Sequence, residues 1–287
     1  MSSESSFNKD SVQGTVVIAA VLCLVCSLAV SGLAVGLREK IDLNKELYLK
    51  ENVLRACGRV AGDAPSPDAD EISRKFEGIE AYFVVLPGLK DEEAGSIKAG
   101  LPANYEPRKA AKDAELGVEI APENDIAKIH RREKYGRVYI VPASGETPRQ
   151  VVVPINGKGL WSTLYGFMSL SLEPAATGGE SQWVIQGITF YEHAETPGLG
   201  GEVENLKWQS GWRGKVPYDG KGVAQIDVIK GSVKPSDSGS EHKVDGLSGA
   251  TITSVGVKNL VNYWLGTDGY GPFLDKLQGS EIPELAK

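Results

Sequence analysis

The sequence predicts an α+β fold: one long apolar helix near the N-terminus, then a twisted, largely antiparallel sheet with flanking helices. Three observations carry this expectation. Thr15 to Leu37 runs 23 residues without a charge. From Tyr135 onward, short runs rich in Val, Ile, Tyr and Phe alternate with Gly, Pro and Asn. Beyond them Val257, Leu260, Val261 and Trp264 give a 3.6-residue apolar period that Gly266 stops.

The apolar run is read as a transmembrane helix. At ~1.5 Å per residue it spans about 34 Å, enough for a hydrocarbon core of ~30 Å. A buried core helix of that length would need a polar face, and this one offers only Ser27, Ser31 and glycines. A cleaved signal peptide is the alternative, with Ala29, Ser31 and Ala34 as small residues, but Lys9 is the only base in the fourteen residues before the run. Arg38, Lys40, Lys45 and Lys50 follow the helix, which by the positive-inside rule would put its C-terminal side in the cytoplasm. Long domains translocate largely regardless of charge, and Glu39, Asp42 and Glu46 interleave with those bases. Cys23 and Cys26 have C-x-x-C spacing inside the run, where small apolar filling is the ordinary use of the residue.

Ile41 to Arg55 continues as an amphipathic helix ending near Gly58. Gly62 to Asp70, with Pro65 and Pro67, reads as a loop, and Tyr82 to Leu86 as a strand closed by Pro87-Gly88. Lys90 to Lys134 is charge-rich and reads as surface segments and short helices. Strands are expected at Arg137–Val141, Gln150–Ile155, Tyr165–Leu172, Trp183–Phe190 and Val223–Ile229. Helices are expected at Glu202–Trp212 and at Ser254–Leu265, with Ser254 as N-cap. There is no internal repeat. The net charge of −7 leaves no basic stripe for nucleic acid.

The residues that carry chemistry lie just before the last helix: Asp245-Gly246-Leu247-Ser248-Gly249-Ala250-Thr251-Ile252-Thr253-Ser254. Small hydroxyl-bearing residues feeding a helix start favour an anion, because free N–H groups and the helix dipole point at it. Plain capping by Thr253 or Ser254 is the alternative. The Gly-x4-Gly-Lys-[Ser/Thr] spacing of a P-loop is absent. Upstream, His193 precedes Glu195-Thr196-Pro197-Gly198-Leu199-Gly200, a tight turn whose glycines would let a flat ring approach the backbone. His193 reads as structural, and with three histidines in the chain, two of them thin on nearby carboxylate or Cys partners, no metal site is expected.

The first string resembles the flavinylation motif of the FMN-binding domain family, and the second resembles the same family's E-T-P-G-L-G box. The resemblance implies FMN attached through its phosphate to Thr251. Ser248, Gly249, Ala250, Thr253, Glu195, Thr196, Gly198 and Leu199 would form its surroundings. A third string, Pro154-Ile155-Asn156-Gly157-Lys158-Gly159-Leu160-Trp161 and then Tyr165-Gly166-Phe167, resembles the C subunits of sodium-translocating NADH:quinone reductases. Trp161 and Tyr165 are then either flavin-facing or ordinary core residues. The G subunits of the related ferredoxin:NAD oxidoreductases share the flavinylation motif, but the third string and the extra segment favour the C subunits. The intact threonine motif argues against a flavin-free, membrane-tethered interaction module.

What the resemblance implies is an electron carrier in a membrane complex that oxidises NADH, reduces quinone and exports Na+. Partners would be the other membrane and peripheral subunits, a flavin transferase and the lipid bilayer. The chain would be single-pass in the bacterial inner membrane, with its flavin domain on the outer side. No catalytic residue is expected in this chain, and there is no G-x-G-x-x-G fingerprint for NADH. The expected organisation is a tail at 1–14, the transmembrane helix at 15–37, a juxtamembrane helix and extra segment at 38–134, the FMN-binding domain at 135–275 and a tail at 276–287.

Overall fold

The structure is a computed structural model and describes residues 11–88, 93–102, 104–175 and 180–279. Parts of the expected tails, 1–10 and 280–287, lie outside the described residues, as do 89–92 and 103 of the charge-rich stretch. The chain forms two units, Met1–Tyr48 and Leu49–Lys287.

In the first unit the apolar run forms α1 (Val12–Gly36). It starts earlier than the charge-free run requires because Ser11 caps it, its hydroxyl accepting the Gly14 N–H at 3.0 Å. With 25 residues and a mean hydropathy of 2.7 over its most apolar stretch, α1 is long and apolar enough to cross a bilayer. The next helix, α2 (Arg38–Ala56), begins here, and its last residues belong to the second unit.

The second unit is built on a five-stranded sheet. The chain runs from the end of α2 through α3 (Ala69–Phe76), which Asp68 caps by accepting the Glu71 N–H at 2.8 Å. Then come β1 (Glu80–Val85), α4 (Pro107–Ala110), β2 (Gly117–Glu119) and β3 (Arg131–Glu133). The long strands follow: β4 (Tyr135–Val141), β5 (Gln150–Lys158), β6 (Thr163–Pro174) and β7 (Ser181–Glu192). The sheet order is β1-β4-β5-β6-β7, antiparallel throughout, so the strand before residue 90 and the strands after 135 share one sheet. Strands β2 and β3 pair separately.

After β7 come a 3₁₀ turn (Gly200–Glu204), α5 (Leu206–Ser210), β8 (Asp227–Ile229), β9 (Lys243–Asp245), α6 (Thr251–Leu265) and α7 (Gly271–Gln278). The main core lies between the sheet and the last two helices. Val138, Ile140, Val151, Val153, Ile155 and Met168 pack there with Leu260, Val261, Trp264 and Phe273. Trp264 Nε1 fixes the register of α6 by donating to the Asn156 carbonyl at 2.7 Å. The opposite sheet face is covered by the end of α2. There Gln150 Nε2 donates to Cys57 O at 3.3 Å and Thr189 Oγ1 to Asn52 O at 3.4 Å.

Three expected elements differ. The expected helix Glu202–Trp212 breaks at Asn205, whose backbone is extended (φ −66°, ψ 118°) and whose side chain caps α5 by accepting from Lys207 N and Trp208 N. Asn prefers that local bond to a place inside a helix. The expected strand Val223–Ile229 shortens to β8, because Asp219 accepts the N–H groups of Lys221 and Val223 and curls the chain at Gly222. The helix expected from Ser254, α6, begins at Thr251, three residues earlier, and Ser254 is not its N-cap: its buried hydroxyl accepts the Leu247 N–H at 2.9 Å and donates to Ala250 O at 3.0 Å. The charge-rich stretch holds α4, β2 and β3, and α3 and α7 carry sequence on which no helix was expected.

Candidate functional site

Helix α6 starts without a side-chain cap. Its N-cap is Ala250, and no acidic residue stands in its first turn. The positive end of the helix dipole is therefore left without a charged side chain of its own first turn. Gly249, at φ 71°, sets the turn into it, a left-handed geometry that would strain any other residue. A Cβ at Gly249 would also meet Leu199 Cδ2 at 2.9 Å, so the E-T-P-G-L-G loop packs directly on the threonine loop.

The two threonines of the motif have opposite environments. Thr251 is exposed, and its hydroxyl has no hydrogen-bond partner among the described residues. Thr253 is fully buried, and its hydroxyl donates to Glu195 Oε2 at 2.8 Å. Ser248 is exposed, and it lines a groove of about 740 Å³ with Lys207, Trp208 and Asp245.

Glu195 is the node of the region. Its buried carboxylate accepts from Trp161 N at 2.9 Å, Ser162 N at 3.0 Å, Leu160 N at 3.2 Å and Ser162 Oγ at 3.2 Å, besides Thr253. Burial pushes its pKa up, but the hydrogen bonds from Thr253, Ser162, Trp161 and Leu160 outweigh it and hold the carboxyl below the ordinary glutamate range. Gly200 completes the fit, because a Cβ there would meet Glu195 Oε2 and Thr253 Oγ1, each at 2.6 Å. His193 Nδ1 accepts the Glu195 N–H at 3.1 Å, and its Nε2 lies 3.0 Å from Glu204 Oε1 in poor hydrogen-bonding geometry.

These ties gather the three strings into one surface. Trp161 (67% exposed), Ile252 (59%), Leu199 (43%), Leu160 (41%) and Val255 (41%) stand outward on them. Large apolar side chains clustered at that exposure mark a binding surface. Trp161 is thus no core residue. Tyr165 is half-buried, and the Arg108 guanidinium lies 3.7 Å from its ring centroid. Thr196 and Gly198 are exposed, and Gly198 has φ 75° with nothing near its missing side chain.

The residues fit an FMN phosphoester at Thr251: a free outward hydroxyl, an uncapped helix start for the phosphate and exposed apolar side chains for a flat ring. The sequence pointed to Ser248, Gly249, Ala250, Thr251, Thr253, Glu195, Thr196, Gly198, Leu199 and Trp161, and the structure brings them into one neighbourhood. Glu195 and Thr253 turn their side chains inward, toward each other. Leu160 and Ile252 lie within the strings and Val255 just past them, but none was expected as a site residue, although Ile252 and Val255 break the polar face of α6, a signal visible in the sequence.

The FMN-binding domain family matches residues 175–266. The chain is 38% identical to the C subunit of the Na(+)-translocating NADH-quinone reductase of Yersinia pestis, over 97% of each chain. It is 41% identical to that of Pseudomonas aeruginosa, over 96% of this chain and 99% of the other. Among solved structures it resembles NqrC of Shewanella oneidensis, with a TM-score of 0.65, 32% identity and coverage of 80% of this chain and 96% of that one. With α1, the antiparallel sheet and the threonine loop all in place, the chain belongs to the family of C subunits of the Na+-translocating NADH-quinone reductases.

Proposed function

We propose that this chain carries electrons within a Na+-pumping NADH:quinone reductase, through one FMN held covalently by a phosphoester to Thr251. The observation that carries the attachment is the contrast at the start of α6. Thr251 offers an exposed, unbonded hydroxyl, while Thr253 and Ser254 have theirs buried and hydrogen-bonded. FMN supplies one- and two-electron redox chemistry when bound. The protein's part is to hold the phosphate at the helix start, to support the ring with the exposed apolar residues and to set the local electrostatics. No general base or nucleophile is needed for that work, so Thr251 is an attachment point only.

Family membership supports the other subunits of the complex as partners, and covalent attachment of the flavin would call for a flavin transferase in maturation. Helix α1, the one helix among the described residues long and apolar enough to span a bilayer, is the membrane anchor, and the second unit lies on the outer side of the bacterial inner membrane despite the bases after α1. In intact cells an impermeant maleimide should label Glu123→Cys, an exposed site; labelling only after lysis would reverse the orientation. For the attachment, Thr251→Ala should abolish the flavin fluorescence of the denatured band, whereas Thr253→Ala should keep it. The opposite pattern would move the acceptor.

A further inference from the structure

We propose that Glu195 is a positioning residue with an electrostatic role: it holds the three flavin-site segments together, and its unpaired negative charge lowers the reduction potential of the flavin. The inference rests on the reading that FMN is attached at Thr251.

The geometry is specific. Five donors converge on one carboxylate from two sides: Leu160, Trp161 and two groups of Ser162 from the β5–β6 loop, and Thr253 from the first turn of α6. The carboxylate itself belongs to the loop after β7, where His193 Nδ1 steadies its backbone by accepting the Glu195 N–H. Each of these segments bears outward apolar residues: Leu160 and Trp161, Leu199, and Ile252 with Val255. The carboxylate therefore lies directly beneath the surface assigned to the ring.

Its charge state follows from its partners. Three of the five are backbone N–H groups, which can only donate, and together with the Ser162 and Thr253 hydroxyls turned toward it they favour the ionised carboxylate. No Lys, Arg or His forms an ion pair with Glu195 among the described residues. The only ammonium carried by the three strings near it, that of Lys158, instead donates to the Trp161 carbonyl at 3.0 Å. Neutral dipoles stabilise the anion without cancelling its net charge. An electron added above a fixed negative charge is disfavoured, and more so where water is partly excluded.

The test is a spectroelectrochemical titration of the flavinylated full chain, with intact mass confirming one flavin per molecule. Glu195→Gln should keep the flavin and shift the midpoint potential positive, whereas Glu195→Asp, which keeps the charge, should lie closer to the parent. Ser162→Ala removes part of the donor set and leaves the charge, so it should shift the potential the other way and serves also if Glu195→Gln does not fold. Equal potentials in flavinylated parent and Glu195→Gln would overturn the proposal. Equal shifts in Glu195→Gln and Glu195→Asp, or a positive shift in Ser162→Ala, would do the same. A parent carrying no covalent flavin after expression with its transferase would overturn the attachment reading, and this one with it.

Discussion

The two ends of α6 are built differently. At the C-terminal end Tyr263, Trp264 and Leu265 are buried, and Trp264 stacks on Tyr270 at 5.4 Å between centroids. At the N-terminal end Thr253 and Ser254 are buried, but Thr251, Ile252 and Val255 face outward and no side chain caps the helix. One end binds the helix to the sheet and the other leaves its dipole and its apolar residues free. The contrast teaches that core packing and the proposed ligand binding fall at opposite ends of one fifteen-residue element.

Substitutions at the two ends should therefore fail in different ways. Trp264→Ala removes a fully buried indole and its bond to Asn156 O, and should destabilise the second unit by roughly 3–5 kcal/mol. Denaturant unfolding would measure it, and a loss under ~1 kcal/mol would mean that this end is not the anchor. Gly198→Val acts on the ligand side. The φ of 75° costs about 1–2 kcal/mol for a residue with a Cβ, while nothing stands in the way of the new side chain. The variant should remain folded and flavinylated at Thr251 with a changed visible spectrum. A spectrum identical to the parent's would place this loop away from the ring.

The smallest effect is in pH dependence. Glu195 titrates below its ordinary value of 4.5 in the folded chain, so between that value and its lower native one the unfolded state binds more protons. Its contribution to stability is present above 4.5 and is lost as pH falls through the native value. Glu195→Gln should flatten the acid limb of the stability profile, and an unchanged limb would show that other carboxylates govern it.

Much of this was legible in the sequence. The long strands carry Val, Ile and aromatic residues at positions buried on both faces, so each expected strand of the main sheet lies inside an observed one or within a residue of it. The helix start was misplaced because Ser254 has the chemistry of an N-cap, and only tertiary structure shows its hydroxyl engaged with Leu247 and Ala250. Asn205 and Asp219 broke expected elements through short side-chain-to-backbone bonds, which apolar periodicity does not register. The site's members were visible as three strings, but the inward turn of Glu195 was not. It depends on donors 33 to 58 residues away along the chain, which no local pattern encodes.

The covalent attachment is tested most directly by mass spectrometry of the full chain expressed with its flavin transferase, intact and after proteolysis. The account predicts a gain of one FMN less one water, carried by the peptide containing Ser248 to Ser254 and assigned by fragmentation to Thr251. An unmodified chain, or the same mass assigned to Thr253 or Ser248, would contradict it.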